Sequence, residues 1–180
     1  MIKNKSFIGY KNCDSIEKDD PLSYMENEVD YLIPAATEKS IHVENSPNIK
    51  CKAIFEGANG PTTFAAEEHL ISRGVVIAPD LLVNGGGVTC SYFEWLKNID
   101  HVSPGAMTKR YDEGSQKRLL NLMGYDDLND QVHGATEADI VYSALDEIMT
   151  GAVHDNWSYA IENDLNFRDA CLVNAMNKVY

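Results

Sequence analysis

The chain has 180 residues, is 44% hydrophobic and carries a formal net charge of -13. That length supports one ordinary domain with a real core, and no apolar run reaches membrane-spanning length. The acidic excess excludes a nucleic-acid partner held through a basic face, but still allows phosphate to be bound locally by N–H groups at helix starts.

In chain order, Met1-Ile-Lys-Asn-Lys-Ser6 is neither an apolar secretory core nor an Arg-rich transit peptide. Val29 to Ala35 is a short apolar run ended by Pro34-Ala35-Ala36, which suits a buried parallel strand. Cys51 to Glu56 is a second such run, closed by Gly57-Ala-Asn-Gly-Pro61, and Gly74 to Pro79 is a third, β-branched and closed by proline. Between the last two, Thr62 to Arg73 reads as a helix, with Thr62 or Thr63 at its start, Glu67 and Glu68 in its early turns and Gly74 stopping it. Strands alternating with such crossovers predict a parallel α/β sheet.

The texture changes after Asn84-Gly85-Gly86-Gly87. From Val88 to Ile99 there is neither Gly nor Pro, and Val88, Tyr92, Trp95, Leu96 and Ile99 fall at helical spacing, which predicts a packed face. Residues 101–133 are polar and uneven, with Pro104, Gly105, Gly114 and Gly124, and read as a helix-containing excursion. A helix starts at Thr136, with Glu137 and Asp139 in its first turn, runs to about Asn163 and has a candidate break at Gly151. Asn166 caps a last helix from Phe167 to Tyr180.

Cys13, Cys51, Cys90 and Cys171 lie far apart, which points to reduced, mostly buried thiols rather than zinc or a disulfide framework. His42, His69, His101, His133 and His154 form no metal-ligand motif, so no metal is expected. The sequons Asn4-Lys-Ser6 and Asn156-Trp-Ser158 are too short to carry weight.

Ligands of open α/β sheets bind in the loops after the strands. Here those loops are Pro34-Ala-Ala36, bare backbone that can lie flat against a coenzyme, and Gly57-Ala-Asn59-Gly60, which permits close approach and adds an amide that donates and accepts. Asn84-Gly-Gly-Gly87 repeats that chemistry beside a helix N-terminus. Each loop alone also fits a plain turn; three at successive strand ends mark a ligand site.

The strings Leu32-Ile-Pro-Ala-Ala-Thr-Glu-Lys39, Glu56-Gly-Ala-Asn-Gly-Pro-Thr-Thr63, Asn84-Gly-Gly-Gly-Val-Thr89 and Ser91-Tyr-Phe-Glu-Trp-Leu-Lys-Asn98 resemble glutamate dehydrogenases, in order and at matching spacing. Gly134-Ala-Thr-Glu137 and Val173-Asn-Ala175 extend the likeness, which is weakest in residues 11–25 and 103–133. The resemblance implies oxidative deamination of L-glutamate to 2-oxoglutarate with NAD or NADP as acceptor, in a homohexamer with neither a nucleic-acid nor a membrane partner. It implies that Ala36, Asn59 and Asn84 lie along the coenzyme and that Ser91 binds a substrate carboxylate.

The implied layout is the second half of a Rossmann-like domain over 1–88, a pivot helix over 89–102, a shortened antenna over 103–133 and C-terminal helices over 134–180. The antenna points to the animal and ciliate type, and with it to the mitochondrial matrix. Tyr142 and Gly151 stand where the animal enzymes carry a histidine and an arginine used for GTP, whereas Lys97 and Asn98 match their ADP-contacting pair.

No G-x-G-x-x-G occurs, and the family's catalytic lysine and aspartate region has no counterpart here, so no residue of this chain takes a catalytic role. The expectation is a partial sequence, inactive by itself. A truncated paralogue that binds and modulates the full-length dehydrogenase is the alternative.

Overall fold

The computed structural model describes residues 22–100 and 104–180; Cys13, the Asn4 sequon and His101 lie outside them. The chain divides into two compact units after Val83.

The first unit is built on a parallel sheet of order β1-β2-β3, with β1 at Tyr31–Leu32, β2 at Ala53–Phe55 and β3 at Val76–Ala78. Each strand lies inside one of the three apolar runs. Register aligns Leu32, Ile54 and Ile77 on one face and Tyr31, Ala53 and Val76 on the other. The first face is covered by α1 (Phe64–Ser72) and by the segment around 41–49, forming a core of Ile41, Ile49, Ile54, Ala66, Leu70 and Ile77. On the opposite face Tyr31, Phe55 and Val76 are exposed, and the Tyr31 and Phe55 rings meet edge to face at 5.9 Å.

Thr63 stands at the N-cap of α1 without a side-chain capping bond. The helix ends in a Schellman motif: Gly74 has φ +82°, its N–H donates to Ile71, and the Val75 N–H reaches Leu70. Arg73 then donates to the carbonyls of Ser46 and Ile49 at 2.8 and 2.9 Å, tying the helix end to the crossover. A one-turn helix, α2 (Asp80–Val83), follows β3.

The second unit is helical. The glycine run proves to be no loop: α3 spans Gly85–Asp100, so Gly85, Gly86 and Gly87 form its first turn. A helix disfavours glycine by about 1 kcal/mol per residue, least where first-turn N–H groups lack a partner anyway. A Cβ at Gly86 would stand 3.6 and 3.9 Å from the side chains of Leu145 and Met149, which is ordinary contact, so packing alone does not require glycine there.

The apolar stripe on α3 is a correction. Val88, Tyr92, Trp95 and Ile99 are 54–71% exposed, with Tyr92 stacked on Trp95. Helical spacing put them on one face, as read; Leu96, the fifth member of the stripe, is half-buried, and among the described residues the other four are left largely uncovered.

The uneven stretch after it holds one continuous helix, α4 (Pro104–Met123), which passes through Gly105 and Gly114. Gly124 stops it in a second Schellman motif, with φ +79° and the Tyr125 N–H bonded to Leu120. Helix α5 (Glu137–Glu162) opens with a complete capping box between Thr136 and Asp139 and continues unbroken through Gly151. It closes in a third Schellman motif, here with Asp164 at φ +52° in the place glycine favours. Asn166 caps α6 (Phe167–Val179) through the Asp169 N–H. Buried Asn156 links the last two helices, donating to Ala152 and accepting from Asn174 at 2.9 Å.

Cys171 is buried, while Cys51 and Cys90 are half-buried, so fewer thiols are buried than expected. Burial pushes the Cys51 and Cys171 thiols above their ordinary pKa, partly offset by Arg73 and Arg168 respectively. Among the described residues no helix is long and apolar enough to cross a membrane.

Candidate functional site

All three strands of the first unit deliver their loops to the carboxyl edge of the sheet, and hydrogen bonds tie the loops to one another. The Ala58 N–H donates to the Pro34 carbonyl at 2.9 Å. Gly57 eases this approach, because a Cβ would stand 3.1 Å from that of Ala35, closer than ordinary contact. The loops after β1 and β2 are therefore clamped backbone to backbone, and Ala36 and Asn59, both exposed, follow directly on the clamped residues.

The loop after β3 joins through carboxylates. Glu56 is fully buried, and its Oε2 accepts the Asp80 N–H at 2.9 Å. Asp80 in turn accepts the Gly60 N–H through Oδ2 and the Leu81 N–H through Oδ1, each at 2.8 Å. Gly60 has φ +53°, a conformation glycine adopts at little cost. Its carbonyl accepts the Lys39 N–H at 2.8 Å, and the Ile41 N–H bonds Pro61. Sequence reasoning used Glu56 only as a letter of a longer string and did not single out Asp80. The signal that could have singled them out is an acidic residue at the end of each of two successive apolar strands, where a carboxylate is costly unless N–H groups receive it.

Asn84 and Ser91 belong to the second unit. Asn84 immediately precedes α3, and its carbonyl accepts the Gly87 N–H at 3.3 Å. Ser91 is exposed one turn further on, and its hydroxyl donates to the Gly87 carbonyl at 3.1 Å. An incoming carboxylate would take that proton in exchange for the bond within the helix. Lys97, in the last turn of α3, pairs with Glu137 at the start of α5 at 2.5 Å; both side chains are about 40% exposed, so the pair is a weak tie. Asn98 is exposed, as is Tyr142, while Gly151 lies inside α5.

At the other, amino edge of the strands an open groove of about 530 Å³ is lined by Glu28, Asp30, Lys50, Cys51, Lys52 and Arg73. Its charges are largely engaged, Lys52 with Asp30 at 2.7 Å and Arg73 with backbone carbonyls. Among the described residues no group of histidine, cysteine and carboxylate side chains could hold a metal ion.

A parallel sheet with glycine- and asparagine-bearing loops clamped at its carboxyl edge defines a nucleotide-type α/β unit. Residues 2–119 match the family described as Glutamate/Leucine/Phenylalanine/Valine dehydrogenase, and the chain belongs to that family. It is similar to the mitochondrial glutamate dehydrogenase of Dictyostelium discoideum, 41% identical over 187 aligned residues covering 99% of this chain and 37% of that one. The crystal structure of glutamate dehydrogenase from Peptoniphilus asaccharolyticus matches with TM-score 0.58 and 28% identity over 82% of this chain and 29% of that one. The hetero-hexameric glutamate dehydrogenase of Thermus thermophilus shares the fold, with TM-score 0.69 at 19% identity over 96% of this chain and 33% of that one. The chain thus spans about a third of the length of the proteins it matches.

Proposed function

We propose that this chain contributes the coenzyme side of an NAD- or NADP-dependent glutamate dehydrogenase, which converts L-glutamate to 2-oxoglutarate and ammonia within a homohexamer. The observation that carries this reading is 41% identity to a glutamate dehydrogenase along 99% of the chain. The name of that relative also supports placement in the mitochondrial matrix. The clamped loops fit a dinucleotide: exposed Ala36 and Asn59 offer a flat backbone edge and an amide beside a glycine whose Cβ would crowd Ala35. The coenzyme, when bound, accepts the hydride from the substrate.

The roles proposed for this chain's residues are to hold and orient. Ala36, Asn59 and Asn84 line the coenzyme, with Asn84 toward its carboxamide, and Ser91 donates its hydroxyl to a glutamate carboxylate. Residues 1–88 would complete the coenzyme domain, 89–102 form a pivot, 103–133 a short antenna and 134–180 the closing helices. Lys97 and Asn98 are candidate contacts for ADP, which would have to displace Glu137 from Lys97.

The test is glutamate-dependent reduction of NAD and NADP by the polypeptide expressed from its complete reading frame, alongside Ser91→Ala. The variant should raise KM for glutamate about ten-fold, the effect of losing one hydrogen bond to a charged group, with KM for the coenzyme unchanged. Preference for leucine or phenylalanine, or an unchanged KM for glutamate in the variant, would refute the reading.

A further inference from the structure

We infer that Asp80, braced by Glu56, is a positioning residue that presets the Asn59 loop for the coenzyme; this rests on the function proposed above. Asn59 is exposed, yet the backbone on both sides of it is pinned to three other segments of the chain. Ala58 is held by Pro34, the Gly60 N–H by Asp80 Oδ2, and the Gly60 carbonyl by Lys39. Two of these anchors are backbone groups of neighbouring loops. The Asp80 carboxylate is the one contributed by a side chain.

Asp80 is itself aimed from both directions. Its own N–H is received by Glu56, whose carboxylate is fully buried, and its Oδ1 is occupied by Leu81. That leaves Oδ2 directed at Gly60. Burying a carboxylate at a strand end is unfavourable unless hydrogen bonds receive it, and the bond that Glu56 accepts from the Asp80 N–H also orients Asp80. A loop held in its binding geometry before the ligand arrives loses less conformational freedom on binding. The two carboxylates therefore act on coenzyme affinity without touching the coenzyme.

The experiment compares wild type, Asp80→Ser and Glu56→Gln in the polypeptide from the complete reading frame. Serine keeps an oxygen able to receive the Leu81 N–H but is one bond too short for Gly60, so α2 retains its start while the loop loses its anchor. Glutamine keeps one acceptor for the Asp80 N–H. Asp80→Ser should weaken NAD(P)H binding, read by coenzyme fluorescence, about ten-fold, as for one charge-assisted hydrogen bond. KM for glutamate should stay within about two-fold, well below one bond's worth, and amide exchange at Gly60 should accelerate. Glu56→Gln should give a smaller change of the same kind.

Coenzyme binding and Gly60 exchange both unchanged in Asp80→Ser would overturn the inference. So would equal losses for coenzyme and glutamate that track a fall in Tm, the signature of a merely structural role. Should wild type itself bind neither NADH nor NADPH, the functional reading fails instead, and Gly60 exchange alone then decides whether Asp80 anchors the loop.

Discussion

Replacing Gly134 with alanine sets two effects of opposite sign against each other, and the structure decides between them. Gly134 is buried where the chain leaves the α4 region and enters α5; its N–H donates to the Glu113 carboxylate of α4 at 3.1 Å. A Cβ there would overlap the Lys109 carbonyl oxygen and stand 3.0 Å from the Lys109 Cα and carbonyl carbon. These are backbone atoms inside a helix, so relief requires α4 to move as a body and to stretch the Glu113 bond. Overpacking of this kind costs about 1–3 kcal/mol. Against it stands a gain of about 0.4–1 kcal/mol, because alanine restricts the unfolded chain.

The mid-range values give a net loss of about 1.3 kcal/mol, or roughly 3–5 °C in Tm for a chain of this size. The assay is thermal unfolding followed by circular dichroism, with Gly151→Ala as the opposite control. Gly151 lies in the middle of α5 with nothing within 4 Å of its added Cβ, so alanine there should raise stability by about 0.5–1 kcal/mol. A Gly134→Ala protein melting at or above wild type would refute the reasoning, since it would mean α4 yields freely at that contact.

Four further outcomes are expected. Asp164→Gly should stabilise by about 0.5–1 kcal/mol in denaturant titration, because Asp164 holds φ +52° at the end of α5, where a Cβ is a liability. At the other end of that helix, Thr136→Ala should cost about 1 kcal/mol by removing the acceptor for the Asp139 N–H. Hydrogen bonds from the Thr136 side chain and backbone hold the Asp139 carboxyl below its ordinary pKa of 3.8. A depressed carboxylate stabilises the fold above its unfolded pKa and loses that contribution as pH falls through the folded value, so helical signal should weaken on acidification below about pH 4, and Asp139→Asn should flatten that dependence. Finally, the Cys51 and Cys171 thiols, raised by burial, should alkylate more slowly with iodoacetamide at mildly alkaline pH than the same cysteines in denaturant, and equal rates would contradict their burial.

What the sequence determined by itself were the features that depend on neighbours along the chain. Each strand falls within a short β-branched or apolar run, and α1 stops at Gly74 because only the residue after a helix needs positive φ. Thr136 with Asp139 announces a capping box, since both partners lie within one turn. The irregular strings around Asn59 and Ser91 were sufficient to assign the family.

Tertiary structure decided everything that requires two distant segments to meet. Helical spacing placed Val88, Tyr92, Trp95 and Ile99 on one face, but periodicity states only that they share a side; whether that side is covered is a property of the fold, and among the described residues it is left largely exposed. Gly151 looked like a break because glycine weakens an isolated helix, yet a cost of about 1 kcal/mol is too small to interrupt a helix that continues on both sides. The glycines of the 85–87 run, conversely, form the first turn of α3, where Gly86 faces Leu145 and Met149, about sixty positions away in the chain. The connection from Glu56 to Asp80 to Gly60 is of the same kind. Local sequence shows two acidic residues after two strands, and only strand pairing in register brings the carboxylate of one to the N–H of the other.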